Sequence, residues 1–446
     1  MNLTDLRRLF GERNISRVKL GGFDMDGVLR GKHISLDKFW PAAESGLGFC
    51  DVIFGWDIAD ALYDNVKYTG WHTGYPDAIA KIDLETFRPI PWEPGTALFL
   101  LDFVKPDESP LPISPRQVLR AVVEKAEAMG FRAFFSAEYE FFIFRESPES
   151  IRQKHFRNLL PLSPGMFGYS VLRASENSHV VLQIFDLLAS FGVPLEGLHT
   201  ETGPGVYEAA IAVDSALEAA DKAALFKTAV KELAARQGLL PTFMAKWHAD
   251  LPGSSGHLHQ SLWDTHGERN LFFRDGAMSS LMRQYIGGLV ENMAAFSSLF
   301  CPTVNSWKRT VPGAWAPVNA TWGIDNRTTA VRAIPGSAKS TRVELRLTGA
   351  DINPYIAMAA SLAAGLDGVE RQLEPPSPAV NAYCSDGVPL PRDLGEATGL
   401  LRGSEVARRW LGGEFVEHFA ATREWEMRRY ERAVTDWELA RYFEAI

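Results

Sequence analysis

The chain has 446 residues, 23% charged and 46% hydrophobic, too long for one ordinary core, so it predicts two domains or one domain with a large extension. Its 55 acidic residues outnumber 46 basic ones, giving a formal charge of -9 and a pI of about 5.7. Phosphate neutralisation needs surplus Lys and Arg, so this balance argues against nucleic-acid binding and leaves open a small-molecule enzyme whose acids hold metal cations.

The first residues, Met1-Asn2-Leu3-Thr4-Asp5-Leu6-Arg7-Arg8, carry charge where a signal peptide places its apolar stretch. The strongest apolar run, 96–104, is far too short to span a bilayer, and a reducing cytoplasm is expected. Cys50, Cys301 and Cys384 lie far apart, which disfavours both a disulfide framework and a zinc–thiolate site.

In chain order, 18–23 and 97–104 read as buried strands with turn-rich polar segments between them. The Pro-rich stretch 105–112 reads as a linker. A helix follows, with Ser114 as N-cap, Pro115 at its first position and Gln117 completing a capping box. Val118, Leu119, Val122, Val123, Ala126 and Met129 form its apolar stripe, and Gly130 ends it. Residues 131–144 read as a long aromatic-rich strand. Helices are expected at 178–191 and 214–237, the second closed by Gly238, and strands at 206–213, 256–262 and 342–347. Asn353-Pro354-Tyr355 opens a further helix towards Gly368, and the charged tail beyond Gly403 reads as helical.

The unusual polar residues sit on the strands. In Ser136-Ala137-Glu138-Tyr139-Glu140 the two carboxylates are two residues apart, so strand alternation points both to one face. An isolated pair of this kind more often marks a solvated edge. Here the pattern recurs: Glu201 and Glu208 flank the turn Thr202-Gly203-Pro204-Gly205, His257, His259 and Ser261 share a strand face, and Glu344 lies between Arg342 and Arg346. Oxygen-rich ligation with little sulfur suits Mg²⁺ or Mn²⁺ rather than zinc.

Arg309, Arg327, Arg332, Arg342 and Arg346 form a second constellation among apolar and Gly/Pro residues. Planar guanidinium groups recognise carboxylate and phosphate through paired hydrogen bonds, so an anionic substrate is favoured over scattered surface salt bridges. The chain has neither a GxxxxGK[ST] loop nor a GxGxxG fingerprint.

These blocks resemble the glutamine synthetase family. They are Glu138-Tyr139-Glu140-Phe141-Phe142, Glu201 through Glu208, Thr242-Phe243-Met244-Ala245-Lys246 with Gly253-Ser254-Ser255-Gly256-His257-Leu258-His259-Gln260-Ser261-Leu262, Asn305-Ser306-Trp307-Lys308-Arg309 with Val311-Pro312-Gly313, and Asn326-Arg327 through Arg346 followed by Asn353-Pro354-Tyr355. They stand in family order. The resemblance implies an α+β chain: a small N-terminal β-grasp domain at 15–105, then a large catalytic domain at 112–446 built on a curved antiparallel sheet with helices. Arg30-Gly31-Lys32 fits the first domain more weakly.

The resemblance further implies an ATP-dependent ligase with about two to three Mg²⁺ or Mn²⁺ ions per site. Glu140, Glu201 and Glu208 match ligands of the metal near the amino-acid substrate, and Glu138, His257 and Glu344 those of the metal at the ATP phosphates. Arg309, Arg346 and Gly253 match the glutamate site. His259, Ser261, Arg332 and Arg342 match the ATP site, and Arg309 and Arg327 carry the catalytic roles. The implied partners are ATP, L-glutamate and an amine, in a double-ring dodecamer with active sites between subunits and no membrane or nucleic-acid role.

Three departures bear on the amine. Where ammonia-using members of the family carry a Glu in the flap, Ala314-Trp315-Ala316-Pro317 presents Trp315, which cannot accept a proton but offers a large apolar face. The Asp-Gly-Ser-Ser latch has its nearest match in Phe54-Gly55-Trp56-Asp57. The usual Gly-Gln between the acids is Gly205-Val206, and Pro252 replaces an Asn. Trp315, Trp56, Asp57, Tyr169 and Val206 are therefore assigned to an amine pocket. The expected reaction joins an organic primary amine to the γ-carboxylate of glutamate, giving a γ-glutamylamide, ADP and phosphate. The alternatives are a true glutamine synthetase using ammonia, and a non-catalytic structural relative, against which the complete set of ligands and arginines speaks. Val388-Pro389-Leu390-Pro391-Arg392-Asp393 does not reproduce the family's adenylylation segment, so that control is not expected.

Overall fold

Local alternation and one doubly buried run explain the first sheet. The computed structural model describes residues 1–311, 313–383 and 387–446; Pro312 and Cys384, both named above, lie outside the described residues. Five strands, β1 (Arg17–Phe23), β2 (Leu29–Ser35), β3 (Leu47–Cys50), β4 (Asp77–Pro89) and β5 (Thr96–Val104), pair in the order β2-β1-β5-β4-β3. β1 and β5 run parallel and the other neighbours antiparallel. Ala97, Leu98, Phe99, Leu100 and Leu101 are all buried, because β5 is covered on both faces and so reads as a continuous apolar run.

The segments expected to be turn-rich and polar instead hold β2, β3, β4 and the helix Leu36–Ser45. β4 misleads because Asp77, Lys81, Asp83 and Glu85 alternate with the buried Ala78, Ala80 and Ile82. Averaged, it is polar; taken every second residue, it is a half-buried strand.

Helix Pro115–Ala128 begins at Ser114 as expected, but the Ser114 hydroxyl makes no cap hydrogen bond and Gln117 Oε1 is buried without a partner. The capping box does not form. Arg116 dominates the first turn instead: its buried guanidinium meets Asp83 at 2.8 Å, Asp102 at 2.7 Å and Asp221 at 2.9 Å. Asp83 and Asp102 lie on the first sheet and Asp221 on helix Ala216–Ala235, so the network ties the two halves of the chain together.

The second sheet has nine strands: β6 (Arg132–Phe144), β7 (Leu195–Thr200), β8 (Val206–Ile211), β9 (Asp214–Ser215), β10 (Leu240–Thr242), β11 (Gly256–Trp263), β12 (Trp322–Ile324), β13 (Val331–Ile334) and β14 (Arg342–Leu345). Their order is β12-β13-β14-β11-β6-β8-β7, with β9 and β10 pairing to the two ends of β6. Only β12 and β13 run parallel. The result is the α+β architecture expected, with a small N-terminal sheet and a large antiparallel sheet backed by helices.

Register sets the chemistry. His257 lies opposite Glu138, Glu140 opposite Glu208, Glu208 opposite His199, and Glu344 opposite both His259 and Arg332. Side chains alternate along β6, so Ala137, Tyr139 and Phe141 are buried behind the sheet while Ser136, Glu138 and Glu140 face forward.

Helices Ala216–Ala235, Ser280–Phe300 and Pro354–Glu370 pack behind the sheet. Helix Ser280–Phe300 falls where no helix is expected, because Gly287-Gly288 breaks its propensity. The glycines serve packing: a Cβ on Gly288 would sit 2.1 Å from Ala364 O, and one on Gly368 would sit 2.2 Å from Gln284 O. The two helices therefore meet backbone to backbone. No helix among the described residues is long and apolar enough to cross a membrane.

Candidate active site

A cavity of about 1230 Å³ opens over the front of the second sheet. Every expected metal-site residue lines it: Glu138 and Glu140 from β6, Glu208 from β8, His257 from β11, Glu344 from β14, and Glu201 from the turn after β7. Their ligand atoms fall into three groups within 4.8 Å: Glu138, Glu208 and His257; Glu138, His259 and Glu344; and His199, Glu201 and Glu208. Glu140 stands outside these groups, with Oε2 accepting from the Ser255 N–H at 2.7 Å. The sequence reading does not include His199, although its spacing two residues before Glu201 is a usable signal. Its Nε2 lies 3.2 Å from Glu201 and 3.4 Å from Glu208.

The electrostatics suit a cation. Burial, then the facing Glu138, Glu140 and Glu201, pushes Glu208 up to about 10, and burial raises Glu140 as well. Burial works to raise Glu138 too, but hydrogen bonds to His257 and His259 outweigh it and hold this carboxylate below its ordinary range. Among coupled carboxylates this means a proton held at Glu208 and a charge kept at Glu138. Glu344 sits at about 2, where His257, His259, Arg346 and Arg332 overcome its burial. Burial, with Arg346 beside it, lowers His257 to about 4, so its imidazole is neutral at neutral pH.

His257 Nδ1 lies 3.6 Å from Glu138 and 3.5 Å from Glu344, while its buried Nε2 has no partner. An orphaned imidazole nitrogen among carboxylates fits a hard divalent cation, which accepts these neutral-nitrogen and oxygen donors together. His259 is fixed differently: Arg342 Nε donates to Nδ1 at 3.1 Å, which leaves the Nε2 hydrogen for Glu138 at 3.4 Å.

The arginines do several things. Arg332 meets Glu344 at 2.8 Å, and Arg346 also pairs with Glu344, so that acid is held between two guanidiniums. Arg346 Nε donates to Arg327 O at 3.0 Å. Arg327 lines the cavity, and its guanidinium makes no hydrogen bond or ion pair among the described residues. Arg309 stands apart from the other arginines. Buried behind the cavity wall, it donates to Leu347 O at 2.9 Å, Arg346 O at 3.1 Å and Ser255 Oγ at 3.1 Å, so these three bonds brace the wall. Gly253 has no room for a side chain: a Cβ there would lie 2.6 Å from Ala245 O and 2.8 Å from Arg309 Cγ. Ser261 lines the cavity and accepts from Trp263 Nε1 at 2.9 Å.

Of the residues assigned to the amine, Trp315 and Tyr169 line the cavity. Trp315 is 65% exposed, takes the left-handed backbone at φ 56°, and donates its N–H to Tyr383 Oη at 2.9 Å. Tyr169 stacks on His199 with ring centroids 4.5 Å apart. Three assignments do not reach this wall. Val206 shares the front face of β8 with Glu208, but Trp247 roofs it over together with Phe142 and Phe144. Trp56 and Asp57 belong to the N-terminal half, where Arg30 lies 5.0 Å over the Trp56 ring and Asp57 Oδ1 accepts from the N–H groups of Ala59 at 2.8 Å and Ala61 at 2.9 Å.

Comparison with known proteins identifies the family. The family model described as glutamine synthetase, catalytic domain, matches residues 112–442. The chain is 49% identical to type-1 glutamine synthetase 2 of Dictyostelium discoideum, over 100% of this chain and 87% of that protein. It is 40% identical to a glutamate–isopropylamine ligase of a Pseudomonas species, over 99% of this chain and 98% of that one. A solved GmaS/ADP complex superposes with a TM-score of 0.86 at 29% sequence identity, covering 99% of this chain and 100% of that one. The chain belongs to the glutamine synthetase family and is a carbon–nitrogen ligase.

Proposed function

We propose that the protein phosphorylates the γ-carboxylate of L-glutamate with ATP and condenses the product with an organic primary amine. One observation carries this reading: the wall of the acid-lined cavity includes Trp315, an apolar ring 65% exposed, at the flap position where the family resemblance implies a Glu in ammonia-using members. A site for a small cation needs polar acceptors, whereas a site for an organic amine needs apolar lining. The similarity to an isopropylamine ligase supports it.

In this reading a carboxylate oxygen of glutamate attacks the γ-phosphorus of ATP and ADP leaves. The amine nitrogen then attacks the acyl carbon, phosphate leaves, and the nitrogen loses a proton. Glu140, Glu201 and Glu208 on one side, and Glu138, His257 and Glu344 on the other, hold Mg²⁺ or Mn²⁺. Bound there, the ions screen the negative charges of the acid and of the ATP phosphates from one another. Arg309 and Arg346, with Gly253, shape the glutamate site. His259, Ser261, Arg332 and Arg342 hold the nucleotide, and Arg327, whose guanidinium is unpaired among the described residues, meets the transferred phosphoryl group. Trp56 and Asp57 serve only if a neighbouring copy presents them, as a ring with sites between subunits does. The division at 15–105 and 112–446, the dodecamer and a cytoplasmic location belong to the same proposal.

The test mixes the protein with ATP, Mg²⁺, glutamate and single amines and follows phosphate release. An organic amine should give the highest kcat/KM. Fastest release with ammonia sinks the proposal and leaves the second reading, a glutamine synthetase, which the 49% identity to the Dictyostelium protein favours.

A further inference from the structure

A second hollow of about 390 Å³ lies against the first, and Trp315 and Arg327 line both. Ile324, Val380 and Ala382 supply its apolar wall. Ile324 is 51% exposed and Val380 89%, so with Trp315 three large apolar side chains face solvent around one depression. Scattered apolar residues are ordinary on a surface, but a concave cluster beside a reaction cavity marks a binding position.

The hollow is built. Its outer wall is tied to its floor by hydrogen bonds from Ala379 N to Trp322 O at 2.8 Å, Asn326 Nδ2 to Ala379 O at 3.2 Å and Tyr383 N to Thr328 Oγ1 at 3.0 Å. Tyr383 Oη then accepts the Trp315 N–H at 2.9 Å, which fixes the divider between the two spaces. The charges are arranged as well. Asp325 is on the wall, but Arg332 Nε engages its carboxylate at 3.0 Å, while the guanidinium of Arg327 makes no hydrogen bond or ion pair among the described residues.

We propose that this outer hollow receives the carbon substituent of the amine, whose nitrogen reaches past Trp315 into the acid-lined cavity. The proposal rests on the reading that the nucleophile is an organic amine, and it names the class: primary amines with an uncharged alkyl or aryl body of several carbons. A second ammonium group is disfavoured, because the nearby carboxylate is already neutralised and Arg327 repels it.

Steady-state kinetics with methylamine, n-butylamine, n-hexylamine, benzylamine and 1,4-diaminobutane, at saturating ATP and glutamate, decide the matter. KM should fall from methylamine to n-hexylamine and be higher for the diamine than for n-butylamine. Val380→Asp and Ile324→Asp should raise the ratio of KM for n-hexylamine to KM for methylamine about tenfold, the loss expected when about two methylenes are no longer buried. Val380→Leu and Ile324→Leu should restore it. These side chains are exposed, so folding is not at stake. Long amines preferred by the wild type but indifferent to the aspartate variants would overturn the hollow's role alone. Ammonia preferred over every organic amine would overturn this proposal together with the functional reading beneath it.

Discussion

The Trp315 N–H donates to the hydroxyl of Tyr383 at 2.9 Å, and Tyr383 N–H donates to Thr328 Oγ1 at 3.0 Å. One side chain thus joins the flap to the loop that carries Arg327. Both Trp315 and Tyr383 hold left-handed backbone angles, φ 56° and 52°, a conformation that non-glycine residues keep only where their surroundings fix it. Tyr383→Phe removes one hydrogen bond, worth about 1 kcal/mol. We expect KM for the amine to rise several-fold while KM for glutamate stays constant. In a Trp315→Ala background the same change should have no further effect on amine KM, because the group it positions is gone.

Trp315→Glu should reverse the preference of the site. A carboxylate at the rim accepts a proton from ammonium and removes apolar contact for a carbon chain, so the ratio of kcat/KM for ammonia to that for n-butylamine should rise on the order of tenfold. No change in that ratio removes Trp315 from amine selection.

Glu208 faces Glu138, Glu140 and Glu201 in a buried setting, so in metal-free protein these acids destabilise one another. Mg²⁺ should raise the melting temperature, and EDTA should lower it. Glu208→Gln should do something unusual for a buried site residue: raise the metal-free melting temperature by about 2 °C while shrinking the Mg²⁺-induced rise. A lower melting temperature for the variant in EDTA would show that crowding the acids at Glu208 costs less than its pairing with His199 contributes.

Lys227 provides a pH test away from the cavity. It is buried, donates to Ala350 O at 2.9 Å and Ile352 O at 2.7 Å, and burial lowers it from 10.5 to about 7. The unfolded chain therefore holds this proton between pH 7 and 10.5 while the native side chain has released it. Unfolding takes up a proton in that window, so stability attributable to Lys227 rises with pH by a few kcal/mol. Lys227→Met should remove that slope, and the difference in melting temperature between variant and wild type should drift steadily from pH 7 to 10, measured in Mg²⁺ buffer. A constant difference would mean that Lys227 titrates normally in the fold.

Much of the site was legible because strand alternation is local. Glu138 and Glu140 had to share one face, with Tyr139 turned the other way, wherever the strand lay. His257, His259 and Ser261, and Arg342, Glu344 and Arg346, follow the same rule. Residue order also carried the family resemblance, and through it the fold class. Even the misses have local causes: β4 averages to polar, and Gly287-Gly288 hides a helix whose glycines matter only against its partner.

Register and roofing were decided by the tertiary structure alone. His259 and Glu138 are 121 residues apart, and nothing in either segment says which rung pairs with which; that depends on how the apolar faces of β6 and β11 settle onto the helices behind them. The same packing brought His199 to the acids, turned Arg309 into a wall support and hid Val206 under Trp247. It also left Trp315 standing between two hollows. Chemistry-bearing residue types are fixed by the chain one at a time, whereas their charges, partners and access to solvent exist only once distant segments share a site.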